Sequence, residues 1–226
     1  MLEAYEAYAD YDAMKELTKS LVVAAARSVG ATVVTARDGS MIDLEGDWRV
    51  AGVLELVSEA VGETVDLDSS IETLRAIGKR HGLDVREGLD NGEIILELYE
   101  KLVEHTLVNP TFVSDYPASV RPLAKPHRSQ LGLVEAFDLV VNGVELVAAY
   151  SELNDPVIQR ARLEEQSRLA AQGDPEAMEL DETFLRALEY GMPPAGGMGM
   201  GVDRLVMLLT GVGIRETILF PLLRPE

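Results

Sequence analysis

Apolar and polar residues alternate over the first eight positions, as at the end of a strand, and the period then changes. Met14, Leu17, Leu21 and Ala25 recur at helical spacing as far as Gly30, with Asp10 or Asp12 placed to cap the helix. Residues 31–106 read differently. A short β-like stretch at 32–35 and an acidic turn region precede helical patterns near 50–61, 69–81 and 91–106, so this segment is expected to be a helical insertion. After Asn109-Pro110 the β pattern returns, with a strand over 111–116 stopped by Pro117, a basic loop over 121–128, and a sheet that resumes at Leu133. Asn142-Gly143 between two β-branched runs is a strong type I′ hairpin signal. Asp155-Pro156 then opens a charged helix from 157 to about 172, ended by Gly173, and no internal repeat or low-complexity tract is visible.

Two places on this framework carry chemistry. Gly196-Gly197-Met198-Gly199-Met200-Gly201-Val202-Asp203-Arg204 puts glycine at every second position of a strand, so one face is stripped of side chains. A flat ring or a phosphate can approach such a face, and Arg204 follows at the start of a short helix, 205–210, stopped by Gly211. The common phosphate-loop patterns are absent, and glycine repeats alone equally suit a tight strand–helix seam. In the hairpin, pairing Val141 with Val144 puts Asp138 and Glu145 on one face, a diagonal step apart. Like charges there repel unless a cation sits between them, and a divalent metal with phosphate oxygens suits the all-oxygen donors. From the hairpin alone, two solvated surface acids are the simpler reading.

The wider sequence adds to both. With Asp203-Arg204 attached, residues 196–211 closely resemble motif 3 of the class II aminoacyl-tRNA synthetases. Glu189-Tyr190-Gly191-Met192-Pro193-Pro194 and Glu145-Leu146-Val147-Ala148-Ala149-Tyr150-Ser151-Glu152-Leu153-Asn154-Asp155-Pro156 are similar to the lysyl-tRNA synthetases in particular. The resemblance implies an α+β fold, an antiparallel sheet flanked by helices, and a lysine-tRNA ligase. Such an enzyme activates lysine with ATP to lysyl-adenylate and transfers it to tRNA(Lys). It implies that Arg204 packs on adenine and reaches the terminal phosphate as the catalytic cation, with Gly199, Gly201 and Glu145 beside ATP. Asp138 and Glu145 are implied to hold Mg2+ on the nucleotide, and Glu152 to pair with the ε-ammonium of lysine. Glu3 and Tyr5 match the segment after motif 2, where the glutamate meets the α-amino group and the tyrosine helps to hold the ε-ammonium.

Departures from the pattern are expected to matter. The family has a glutamate where Asp138 stands and Asn or Thr where Ala148 stands, and strict alternation would put Glu152 on the face opposite Glu145 unless a bulge or a strand end intervenes before it. The resemblance spans nearly the whole chain, 1–226, but reaches only the C-terminal part of the family's catalytic domain. The fold is therefore expected to be incomplete, without motif 1, which builds the family's homodimer, the motif 2 arginine or the OB-fold. Two further readings share these residues: a lysine-activating ligase for another acceptor, such as a translation factor or a membrane-lipid transferase fused to the synthetase, and a non-catalytic remnant that only binds.

Composition narrows the partners. Twenty basic against thirty-nine acidic residues give a formal charge of −19, which opposes non-specific binding of nucleic acid and leaves any RNA contact local. The chain has no cysteine, excluding thiolate metal sites, and its apolar runs are too short to span a bilayer, so a cytoplasmic protein without membrane contact is expected. The histidines read as bland: His105 on the apolar stripe of its helix, His81 at a helix end, and His127 in a solvated basic loop. Trp48 reads as a packing anchor of the insertion.

Overall fold

In the computed structural model, which describes residues 1–171 and 180–220, the chain opens with strand β1 (Leu2–Ala7) and helix α1 (Tyr11–Val29). Asp10 caps α1 by accepting from the N–H groups of Asp12 and Ala13, and Gly30, at φ +69°, ends it. The buried stripe of α1 is Tyr11, Met14, Thr18, Val22 and Ala26, one position off the expected row beyond Met14; Leu17 and Leu21 are only partly buried beside it. The reason is a close approach. A Cβ on Gly196 would lie 2.8 Å from the Asp10 carbonyl oxygen and 2.9 Å from Met14 Cγ, so the row through Met14 is the one pressed on the sheet.

Residues 31–106 are not wholly helical. They begin with a hairpin of β2 (Val33–Thr35) and β3 (Met41–Asp43), whose Val34 and Ile42 are buried. Next, β4 (Arg49–Gly52) joins the main sheet parallel to β5 (Thr111–Pro117) and runs directly into α2 (Val53–Val61). Trp48 packs on Phe112 of β5 with ring centroids 5.4 Å apart, so it anchors the segment to the sheet. Helix α3 (Ile71–Arg80) is capped by Ser70 and reaches His81, and α4 (Asn91–Leu102) starts in a capping box of Asp90 and Glu93. The helical pattern ends before His105: that residue lies in a separate 3-10 turn, Glu104–Thr106, and is exposed rather than part of the apolar stripe.

Strands β6 (Leu133–Val141), β7 (Val144–Ser151) and β8 (Ala195–Met200) complete a six-stranded sheet of order β1-β8-β7-β6-β5-β4, antiparallel except between β4 and β5. Asn142 and Gly143 form the expected hairpin turn, both at positive φ. Helix α5 (Pro156–Ala171) begins where Asp155 accepts from the N–H groups of Val157 and Ile158; its expected stop at Gly173 lies outside the described residues. Then come α6 (Glu182–Glu189), α7 (Val202–Thr210), ended by Gly211 at φ +72°, and α8 (Ile214–Thr217).

The sheet separates two cores. One face buries Met14, Val22, Phe137, Leu139 and Met198 under α1 and the β2–β3 hairpin. The other buries Leu56, Leu98, Val113, Val134 and Val140 under α2, α3 and α4. Those helices cover the second face only as far as β6. Over β7, β8 and β1 it stays open, and at the edge strand β1 Tyr5 is 67% exposed. The α+β expectation of an antiparallel sheet flanked by helices is met, and among the described residues no helix is long and apolar enough to cross a membrane.

The glycines of β8 should behave oppositely by face. Gly196→Ala, driven into α1, should cost about 1–3 kcal/mol in urea denaturation. Gly199→Ala, with only Met1 Sδ within reach at 3.9 Å, should stay within about 0.5 kcal/mol of the parent. Equal losses would contradict the assignment of faces.

Candidate functional site

The open face owes its side chains to an irregularity in β7. Val140 pairs with Glu145 while Leu139 pairs with Val147, so Leu146 is an extra residue in the strand. Leu146 and Val147 both enter the core under α1, and Glu145 consequently shares the open face with Ala148, Tyr150 and Glu152. This is the bulge that strict alternation required before Glu152. Two rows then cross the face: Glu3, Gly199, Ala148 and Asp138, and beside it Tyr5, Gly197, Tyr150 and Ala136.

Glycine is needed at 197 for a contact reason. A Cβ there would meet a carboxylate oxygen of Glu152 and stand 2.7 Å from Tyr5 Cε1, so the acid and the phenol ring close over bare backbone. The Glu152 backbone N–H donates to the Ala195 carbonyl at 2.8 Å, fixing its place beside β8. Burial alone pushes its carboxyl up to about 7, and no cation of the described residues enters among the causes. Tyr5 is raised by burial first, then by Glu152 and Glu3. An acid pressed against glycine with no cation of its own suits a ligand's ammonium.

The second group lies around Asp138, which is nearly buried. Its Oδ2 accepts from Tyr116 at 2.7 Å and from Arg121 Nη2 at 2.6 Å, while Oδ1 is buried with no partner. Glu145 is raised chiefly by burial, then by Asp138, with Arg204 and Arg121 acting the other way. Arg204 Nη1 donates to the Glu145 carbonyl at 2.6 Å and to its Oε1 at 3.2 Å. It stands in the first turn of α7, which begins at Val202, three residues earlier than its pattern suggests. Gly201 leaves space for the Arg204 stem, whose Cδ lies 3.2 Å from where a Cβ would be. Glu104 joins the patch from the 3-10 turn, raised by burial and then by Glu145.

Asp138, Glu145 and Arg204 therefore gather at one end of the face, Glu3, Tyr5 and Glu152 lie nearer the other, and Gly199 lies between as open floor. Sequence reasoning missed Arg121, Tyr116, Tyr150 and Glu104. Tyr150 stood within a quoted motif, whereas Arg121 comes from a loop with no periodicity to place it and Glu104 from a 3-10 turn that the pattern reads as the end of a helix. Among the described residues, no three His, Cys, Asp or Glu side chains are arranged to hold a metal. Asp138 Oδ1, buried without a partner, and the Glu145 carboxylate are the oxygens that could meet Mg2+, with phosphates and water as its remaining ligands.

On the opposite face a different network fastens α1. Buried Glu135 accepts from Arg128 Nε at 2.5 Å and from Ser151 Oγ at 2.5 Å, and Arg128 reaches Asp10 at 2.7 Å. His127 is not solvated: its side chain is 7% exposed, 3.7 Å from Asp115, with its ring edge-on to Tyr11. A cavity of about 300 Å³ lies beside this network, and one of about 360 Å³ lies between the hairpins and α7, where Arg204 forms part of the wall.

Comparison with known proteins shows the family of the chain. The family model of the class II tRNA synthetases (D, K and N) matches residues 1–224. The chain is 52% identical over its full length to the lysylphosphatidylglycerol biosynthesis bifunctional protein LysX of Mycobacterium marinum (strain ATCC BAA-535 / M), covering 21% of that protein. It is 53% identical to the LysX protein of Mycobacterium avium (strain 104) and 50% identical to that of Mycobacterium tuberculosis (strain F11), again over its full length and covering 20% of each. The chain thus spans about a fifth of the length of these relatives.

The raised carboxyl of Glu152 gives a pH test. Because its folded pKa, about 7, exceeds the unfolded value of 4.5, its contribution to stability is present below the unfolded value and is lost as pH rises through the folded one. Glu152→Gln should therefore melt higher than the parent at about pH 8, with the gap closing near pH 4. A gap independent of pH would show that Glu152 is not held in a desolvated place.

Proposed function

The chain belongs to the class II tRNA synthetases of the D, K and N group, and we propose that its open face binds lysine and ATP for the formation of lysyl-adenylate. The observation that carries the choice of amino acid is Glu152, half-buried over Gly197 beside Tyr5 and facing no cation among the described residues. In this reading Glu152 and Tyr5 receive the ε-ammonium, and Glu3, directly opposite Gly199 on the neighbouring strand, receives the α-amino group. Gly199 leaves backbone open to the adenine and phosphates, Gly201 makes room for the Arg204 stem, and Arg204 brings positive charge to the polyphosphate from α7.

The chemistry asked of these residues is positioning. A lysine carboxylate oxygen attacks the α-phosphorus, the bond from that phosphorus to the bridging oxygen breaks, and pyrophosphate departs without a proton needed from the protein. Holding both ammonium groups fixes the direction from which the carboxylate approaches, converting an encounter into an oriented step. Arg204, tied to Glu145, offers a guanidinium at the departing charge. Asp138 and Glu145 would hold Mg2+, which supplies charge neutralisation on the phosphates when bound. Ala148 has no side-chain polar group for the lysine carboxylate, which places that duty on other groups.

The acceptor is a separate matter. The family resemblance favours transfer to tRNA(Lys), with a homodimer as the family's assembly. The relatives are named for lysylphosphatidylglycerol biosynthesis, which favours a lysyl group destined for that lipid. Both routes begin with the same activation. A chain that only binds would differ in doing no chemistry.

Lysine-dependent exchange of pyrophosphate into ATP separates activation, common to both acceptors, from binding alone. Glu152→Gln should weaken lysine by about 3–5 kcal/mol, because it leaves the ammonium without its charge partner, and should leave ATP binding unchanged. Gly199→Val should do the reverse, impairing ATP while sparing lysine. Absence of exchange, or exchange with unchanged lysine dependence in Glu152→Gln, would overturn the reading.

A further inference from the structure

Arg121 is a positive charge built into the acid patch. Its Nη2 lies 2.6 Å from Asp138 Oδ2, its guanidinium covers the Tyr116 ring at 4.4 Å, and its side chain is 22% exposed against 6% for Asp138. Tyr116 donates to the same oxygen at 2.7 Å. Two donors thus converge on Oδ2, and Oδ1 alone is left, buried and unpartnered. The loop that carries Arg121 is itself gripped, since Arg162 Nη1 donates to the carbonyl oxygens of Pro122 at 3.2 Å and Ala124 at 2.5 Å.

We propose that Arg121 sets the metal behaviour of the site: it spends one oxygen and most of the charge of Asp138, so that Asp138 and Glu145 capture a divalent ion only when a nucleotide brings further oxygens and negative charge. Without it, Asp138 and Glu145 would face Arg204 alone in a partly desolvated patch, a net charge of about −1 that attracts a divalent ion. With it, the charges of Asp138, Glu145, Arg121 and Arg204 sum to about zero, and a guanidinium beside Asp138 repels the ion. The arrangement makes metal and nucleotide arrive together and keeps the empty site from filling with a tightly held ion. The inference rests on the ATP reading for its meaning, while its test uses no nucleotide and no lysine.

The test is binding of Mn2+ to the nucleotide-free 226-residue chain, followed by the loss of its free-ion electron paramagnetic resonance signal. Arg121→Gln, which keeps a donor for Asp138 but removes the charge, should bind Mn2+ at least about tenfold more tightly than the parent. Arg121→Lys should resemble the parent, and Arg121→Gln combined with Asp138→Asn should return to weak binding. A purely structural role for Arg121 would not produce that reversal. Binding by Arg121→Gln no tighter than by the parent overturns the proposal, as does a double variant that still binds tightly. If circular dichroism shows Arg121→Gln to be unfolded, the parent decides: a millimolar or weaker Mn2+ site supports the proposal, and a micromolar one overturns it. Failure of lysine-dependent exchange with this Mn2+ pattern intact would remove the lysine reading alone, and the converse would remove only the role of Arg121.

Discussion

Because β7 carries Leu146 as one residue more than β6 can pair, Glu145 lies on the same face as Tyr150 and Glu152. The consequences reach both cores. Leu146 and Val147 turn together into the apolar layer under α1, which stabilises the irregularity by burying two large side chains instead of one. On the other side the acids are spaced along one strand above a floor of glycine. Remove the extra residue and either Glu145 or Glu152 would have to enter the core, at a cost of several kcal/mol for a buried unpaired charge. The site exists because the hydrophobic layer behind it accepts Leu146.

The charges are arranged by burial as much as by pairing. At one end Asp138 and Glu145 are partly neutralised by Arg121 and Arg204. At the other, Glu152 has no such partner among the described residues, and its desolvation is a cost that an ammonium ligand would offset. Behind the sheet, Glu135 is saturated by Arg128 and Ser151, and that network ties α1 to the strand that carries Glu152. Satisfied charges thus lie on the structural face and incompletely satisfied ones on the open face, the distribution expected where strain is held for a ligand.

What could be read from the sequence was local. The Asn142-Gly143 turn, the Asp10 cap and the Gly30 stop each depend on neighbours a few residues away, and each is where the pattern puts it. The candidate acids and Arg204 were also legible, and so was the need for a bulge, though not its position at Leu146. What escaped depends on distant pairing. Arg49–Gly52 is four residues long, pairs in parallel with a strand some sixty positions later and enters α2 without a turn, so it reads as part of a helix. Arg121 sits in an irregular loop, and only the fold brings it to Asp138. His127 looked solvated because a basic loop gives no sign that α1 will cover it.

The central claim, that Glu152 waits desolvated for an ammonium, is tested most directly by proton release. Lysine binding is measured by calorimetry at about pH 6.5 in buffers of different ionisation enthalpy, where Glu152 is largely protonated in the empty protein. The account predicts that lysine expels about three-quarters of a proton and that norleucine, which has the same stem without the ammonium, binds weakly and expels none. Lysine binding with no proton released, or norleucine binding as well as lysine, would contradict it.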